Sequence, residues 1–398
     1  MQISQRAKKL GTENAFVVLE EVNKLKEKGE GITNFCIGQP DFDTPQNIKN
    51  AAKQAIDNGK TGYTPSAGIP ELRKAAAEWL SKTRKTKIEP ESVIITDGGK
   101  PFILYTLLSV TDPGKEEEVI YPNPGFPIYS SLINALDCKG IPLYLKEEKK
   151  FNFDIEELKQ KINNNTKLLI LNSPQNPTGA VLNKKELKEI ADIVLEHENL
   201  WVFSDEVYSQ LVYDQEFQSI TTISEEIKER TIMVDCVSKT WAMTGWRLGY
   251  MSNKKLAKTF EKWVTNINSC ASHPAQYAAL EALTGPQEEP KKMQQTFKKR
   301  REIIVKGLNE IQGIHCLTPG GAFYVWPNVT ELCKKTNCKD AEDLRKKLLY
   351  EAKVAVLADI HFGPKTPGEG EHIRLSYATS EENITKGIEK IKKWAKNK

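Results

Sequence analysis

Val237-Ser238-Lys239-Thr240-Trp241-Ala242-Met243-Thr244-Gly245-Trp246-Arg247-Leu248-Gly249-Tyr250 is the stretch on which the reading of this chain turns. It brackets a lysine with two hydroxyl side chains and sets an arginine eight residues further on. A lysine becomes nucleophilic toward a carbonyl when burial and neighbouring cations lower its pKa. Arg247 offers such a cation and, through its planar fork of donors, a grip on a phosphate. The grouping suits an aldehyde that carries a phosphate.

Working outward, the apolar run Leu200-Trp201-Val202-Phe203 leads into Ser204-Asp205-Glu206-Val207-Tyr208 and reads as a buried parallel strand with its loop. Ligands of open α/β sheets bind where loops leave the carboxyl ends of strands, which puts Asp205 and Tyr208 where site residues sit. Pyridoxal phosphate (PLP) needs a Schiff-base lysine and an acid that keeps its ring nitrogen protonated, and Asp205 is the candidate acid. A third run, Lys167 to Asn172, enters Ser173-Pro174-Gln175-Asn176-Pro177-Thr178-Gly179, whose prolines and glycine fix a loop that holds the Asn176 amide. A fourth, Ser92 to Thr96, enters Asp97-Gly98-Gly99-Lys100 and a helical stretch from Pro101 to Val110. Glycines at a helix start leave backbone N–H groups free for a phosphate.

With Ile37-Gly38-Gln39-Pro40-Asp41-Phe42, Gly62-Tyr63-Thr64-Pro65-Ser66-Ala67-Gly68 and Arg374-Leu375-Ser376-Tyr377-Ala378, these motifs make the chain resemble, over nearly its whole length, a class I/II aminotransferase of the aspartate-type branch. The resemblance implies the PLP-dependent transferase fold type I: an α/β protein with a mixed, mostly parallel seven-stranded sheet between helices, and a smaller α+β domain. It makes Lys239 the catalytic Schiff-base lysine, Asp205 the partner of the ring nitrogen, and Asn176 with Tyr208 the hydrogen-bond pair on the phenolic oxygen. Gly99, Lys100, Ser238 and Arg247 match a phosphate cup, and Phe126 the aromatic that stacks on the ring. Arg374 matches the arginine that grips the substrate α-carboxylate, beside Gly38. Tyr63 matches a tyrosine that reaches the phosphate from a neighbouring subunit, which implies a homodimer with shared sites.

The implied reaction is ping-pong transfer of an amino group between an L-amino acid and a 2-oxo acid such as 2-oxoglutarate. Lys100 stands where the branch places a lysine near a second substrate carboxylate, so aspartate or glutamate is the expected donor. Pro101, Phe126, the loosely matching Thr12-Glu13-Asn14 and the Ala358 to Gly363 turn depart from the branch pattern. They keep aromatic or small apolar amino acids open, and a PLP-dependent β-lyase uses the same constellation. Taken alone, Arg374 reads as a solvated charge, because strand alternation would set it opposite Ile373, Leu375 and Tyr377.

The 398 residues exceed one compact core. The expected division is an N-terminal arm (1–13), a large PLP-binding domain (48–283) and a small domain assembled from 14–47 and 284–398. Gly321 to Trp326 and Val354 to Leu357 read as strands of the small domain. A net charge of +4 gives no case for nucleic acid. Seven scattered cysteines fit reduced thiols better than a disulfide framework, and neither they nor the five scattered histidines show a metal-binding spacing. Gly59-Lys60-Thr61 lacks the glycine a P-loop needs, Gln54 standing in its place. The start of the chain is polar and basic, no run reaches a membrane span, and a cytoplasmic location is expected.

Overall fold

The structure, a computed structural model, describes residues 2–398. Twelve strands run through them: β1 (Thr33–Asn34), β2 (Val93–Thr96), β3 (Glu118–Asn123), β4 (Lys139–Tyr144), β5 (Thr166–Asn172), β6 (Trp201–Asp205), β7 (Thr231–Cys236), β8 (Gly249–Ser252), β9 (Tyr324–Val325), β10 (Val354–Ala355), β11 (Leu357–Ala358) and β12 (Ile373–Ser376). Seven form one sheet in the order β2-β8-β7-β6-β5-β3-β4. Only β8 runs against its neighbours, so the sheet is mixed and mostly parallel, as the sequence implies.

A parallel sheet covered on both faces needs strands that are apolar throughout, and period-two alternation sends their side chains to two cores. In β5, Leu168 and Ile170 pack with Phe102 and Ile103 of the helix Lys100–Val110. Leu169 and Leu171 pack on the other side with Leu187, Ile190 and Val194 of the helix Lys184–Leu195. That second helix begins at a capping box, Asn183 accepting from the Glu186 N–H while the Glu186 carboxylate accepts from the Asn183 N–H. The strands that share one direction, β2 to β7, all end at the same edge. From it leave the Gly98-Gly99 turn, the loop to Phe126, the loop to Asn176, Asp205 itself, and the short helix Val237–Thr240 that carries Lys239.

A second body is built on the three-stranded antiparallel sheet β11-β12-β9. Its core joins Phe297, Ile304 and Leu308 of the helix Glu288–Asn309 to Ile384, Ile388 and Ile391 of the helix Glu381–Lys396. The run Val354 to Leu357 is two strands rather than one: β10 pairs with β1, then β11 pairs with β12. Gly321 to Trp326 contributes only Tyr324 and Val325 to a ladder, because Ala322 adopts a positive φ of 57° and its N–H turns to the Leu211 carbonyl. The start of the chain forms a short helix, Gln5–Lys9, against the helix Ile128–Ala135 of the same chain: Lys9 pairs with Asp137, and the Gly11 N–H donates to Ser131 Oγ at 2.9 Å. No helix of the described residues is long and apolar enough to cross a membrane.

Beneath the site edge lies a charge cluster shut away from water. Arg84, the last residue of the helix Pro70–Arg84, donates through Nε to Glu206 Oε2 at 2.9 Å and through Nη2 to Asp235 Oδ2 at 2.6 Å. Ser204 and Ser219 hydroxyls satisfy the other Glu206 oxygen. Removing one partner of a buried ion pair leaves an uncompensated charge and costs about 3–5 kcal/mol. Arg84→Met is expected to lower the unfolding free energy by that amount in urea titration; an unchanged midpoint would show that the cluster does not hold the fold.

Candidate active site

The shared strand edge opens into a cavity of about 410 Å³, lined by every residue singled out from the sequence except Tyr63. Tyr63 is 90% exposed and does not line it.

Two buried charges of this cavity, Asp205 and Arg374, have no counter-ion among the described residues. Asp205 is buried at the end of β6 and no lysine, arginine or histidine of the described residues pairs with it; it accepts from the Tyr129 hydroxyl at 2.5 Å. Burial pushes its carboxyl up to about 6, against the opposing pull of Tyr129. Arg374, expected from alternation alone to be solvated, is 3% exposed, because β12 is the central strand of its sheet and covered on both faces. Its Nη1 donates to Asn176 Oδ1 at 3.0 Å and its Nη2 to the Cys36 carbonyl, while its buried Nε has no partner. The rings of Tyr324 and Phe362 flank its guanidinium. A buried guanidinium and a buried carboxylate, both unpaired, make the cavity complementary to a ligand that brings an anion to one and a cation to the other.

Lys239, half-buried, donates to the Gly38 carbonyl at 2.7 Å, and burial pulls its ammonium below the usual lysine range, with Arg374 and Arg247 pushing the same way. Tyr208 shares a hydroxyl–hydroxyl bond of 2.8 Å with Tyr324. Gly98 has φ +90°, and a Cβ there would meet Arg247 Nη2 at 2.1 Å. A Cβ on Gly249 would meet the Gly98 carbonyl carbon at 2.4 Å, so the segment Arg247 to Gly249 closes to backbone contact with the Gly98-Gly99 turn at the start of the helix Lys100–Val110. Arg247 donates to the Thr244 and Asp97 carbonyls and pairs with no carboxylate of the described residues. Free N–H groups at a helix start, the Ser238 hydroxyl and an unpaired guanidinium are donors only or donors first, which is what a phosphate takes. The residues therefore fit PLP: a cradle for the phosphate, a carboxylate for the ring nitrogen, and a depressed-pKa lysine for the aldehyde.

Lys100 lines the cavity but is already engaged, Nζ to Glu13 Oε2 at 2.6 Å, with the Phe126 ring 5.4 Å away. The sequence reading did not foresee that pair, nor the parts of Tyr129 and Tyr324. Tyr129 falls three residues after Phe126, one helical turn on, and that spacing was the available signal.

The fold and the cavity define a PLP-binding α/β protein of fold type I. The family described as aminotransferase class I and II matches residues 30–391, and this chain belongs to it. It is 37% identical to the probable aspartate/prephenate aminotransferase of Aquifex aeolicus, over 98% of both chains. It is equally 37% identical to the aspartate aminotransferase of Bacillus sp. (strain YM-2), over 99% of both. The structure of aspartate aminotransferase from Thermus thermophilus with maleate superposes with a TM-score of 0.91 at 33% identity, covering 99% of each chain. The protein is a PLP-dependent aminotransferase.

Because burial raises the folded-state pKa of Asp205, the native chain holds an extra proton between the ordinary carboxylate range and about pH 6. Stability from this group therefore falls as pH rises through that window. Cofactor-free Asp205→Asn should lose that fall and, at pH 8, gain up to about 3 kcal/mol over wild type in urea titration, while losing activity. A variant less stable than wild type at pH 8 would contradict the unpaired-charge reading.

Proposed function

We propose that the enzyme moves amino groups between acidic L-amino acids, aspartate or glutamate, and a 2-oxo acid such as 2-oxoglutarate. The observation that carries the class of substrate is Arg374: a buried guanidinium without a counter-ion, on the wall of the cavity that also holds the unpaired Asp205. An α-carboxylate on Arg374 fixes the amino acid, and the Asn176 side-chain oxygen Oδ1 accepts from Arg374 and holds it. Asp205 holds a negative charge against the ring nitrogen. The bound cofactor supplies an electron sink that makes the substrate Cα–H acidic. Lys239 Nζ takes that Cα proton as general base, and burial, which disfavours its charged form, lowers its pKa in the direction that role needs. Phe126 covers the ring, Tyr208 and Asn176 address the phenolic oxygen, and Gly99, Lys100 through its backbone N–H, Ser238 and Arg247 form the cup around the phosphate.

Lys100 is the proposed partner of the second substrate carboxylate. Two supports are independent of it: both relatives carry aspartate in their names, and the Thermus thermophilus structure holds maleate, a dicarboxylate. Glu13 occupies Lys100 in this chain, so a dicarboxylate has to take its place. We further infer a homodimer in which Tyr63 serves the partner's site, since an exposed tyrosine in a matching motif has no part in its own cavity. We also infer a small domain made of 14–47 and 284–398 around a large one of 48–283, and an arm over 1–13. Seven free cysteines fit a reducing compartment, and we assign the enzyme to the cytoplasm.

The decisive experiment mixes PLP-loaded enzyme with single amino acids and follows loss of the absorbance of the lysine-bound cofactor. Aspartate and glutamate should convert it fastest, whereas fastest conversion by phenylalanine or alanine would overturn the substrate assignment. Lys100→Ala should slow aspartate at least about ten-fold, the worth of one charge-assisted bond, and alanine less than about two-fold. Glu13→Gln should speed aspartate; a slower aspartate reaction in Glu13→Gln would mean that Glu13 positions Lys100 rather than competing for it. Lys239→Ala should lack the lysine-bound absorbance and turnover altogether, and normal turnover would remove Lys239 from the mechanism.

A further inference from the structure

Outside the cofactor cavity, one group of three metal-capable side chains comes together among the described residues: Glu147, Glu369 and His372, each offering a donor atom within 4.8 Å of the others. Glu147 lies after β4, and the other two precede β12, so 222 positions of sequence separate Glu147 from Glu369. That distance is why no metal-binding spacing is visible in the sequence.

His372 is the member that calls for a ligand. Its ring is 3% exposed and fixed, stacked on Trp326 at 5.7 Å between centroids with 6° between planes. Nδ1 lies 3.2 Å from the Gly370 carbonyl, which can only accept, so Nδ1 carries a proton and Nε2 is the nitrogen left to face a ligand. That Nε2 is buried and has no hydrogen-bond partner. It faces Glu147 Oε2 at 3.6 Å, too far for a donated hydrogen bond. A lone pair turned toward a carboxylate in a buried place is repulsive, and either a proton on Nε2 or a metal ion between the two groups relieves it. An imidazole whose outer N–H rests on a backbone carbonyl while its inner nitrogen points at acidic groups is the arrangement that metal-ligating histidines adopt.

The carboxylates are set with similar care. The Asn328 amide donates to Glu147 Oε2 at 2.8 Å, and the ring nitrogen Nδ1 of His315 is 2.6 Å from Glu147 Oε1. Glu369 Oε2 accepts from the Glu147 N–H at 3.3 Å, which brings the second carboxylate to the first. Glu369 and His372 line a cavity of about 20 Å³, room for a single ion or water. Lys365 also lines it, but its ammonium is paired with Glu371.

We propose that Glu147, Glu369 and His372 bind one divalent first-row transition-metal ion. One imidazole nitrogen and two carboxylate oxygens suit zinc, manganese or cobalt rather than a soft, thiolate-seeking ion. The bound ion ties the loop after β4 of the large sheet to the segment that enters β12, two residues before Arg374.

The test uses chelator-treated, PLP-loaded enzyme and titrates it with zinc chloride in a calorimeter. One equivalent per chain is expected. Glu369→Gln and Glu147→Gln should each weaken that event at least ten-fold while circular dichroism and the half-reaction with amino acid stay unchanged. Cobalt in place of zinc should give weak visible bands without a thiolate charge-transfer band, which separates this site from the seven cysteines. Absence of a stoichiometric event, retention of full affinity in both variants, or a thiolate band would each overturn the proposal.

Discussion

Arg84 fixes the floor on which the catalytic edge stands. Its guanidinium is fully shielded from water and pairs with two carboxylates on adjacent strand ends. Glu206 follows Asp205 directly at the end of β6, and Asp235 lies four residues before Lys239 at the end of β7. In a low-dielectric interior these charges tolerate neither separation nor solvent, so the pairing sets β6 and β7 against each other at the point where the chemistry leaves them. The helix that delivers Arg84 stops there, Lys85 turning the chain at a φ of 53°. A hydrophobic residue of equal volume would fill the space but could not dictate where two carboxylates must sit.

The cavity above obeys the opposite rule. Asp205, Arg374 and Arg247 are left without counter-ions, and each charge costs stability until a ligand arrives. That cost is the source of selectivity, since the ligand that removes it must carry a cation, a carboxylate and a phosphate in the right places. Arg374 also links three distant segments: it belongs to β12, donates to Asn176 beyond β5 and to Cys36 just after β1. A carboxylate that fills its free Nε therefore completes a junction between the two sheets as well as a binding site.

What the sequence made legible was local. Lys239, Asp205, Asn176 and Gly99 each stand at the end of an apolar run, and in a parallel sheet a strand end is also a place in space. Features that depend on pairing between remote segments were hidden. Arg374 looked solvated because alternation reports the two faces of a strand and not whether both are covered. Val354 to Leu357 looked like one strand because nothing in four apolar residues says that the first pair serves β1 and the second β12. Arg84 with its two acids, Tyr129 on Asp205, and Glu147 with His372 join residues 76 to 225 positions apart, beyond any motif.

The pair between Lys100 and Glu13 sits between these regimes, and its exposure decides what it can do. Lys100 keeps 44% of its side-chain surface exposed and Glu13 23%. An ion pair so open to solvent is worth about 0.2–1 kcal/mol, far less than the buried cluster around Arg84. A substrate carboxylate can therefore displace Glu13 at small cost. Glu13 is moreover the N-cap of the helix Asn14–Glu27 and makes no side-chain cap bond while it is held by Lys100. Released, its carboxylate lies beside the unsatisfied N–H groups and positive end of that helix, an interaction of about 0.3–1 kcal/mol that offsets the loss. The resident carboxylate thus shields the selector cation when no substrate is bound and yields to an acidic side chain with almost no net penalty, whereas a neutral side chain offers Lys100 nothing in exchange.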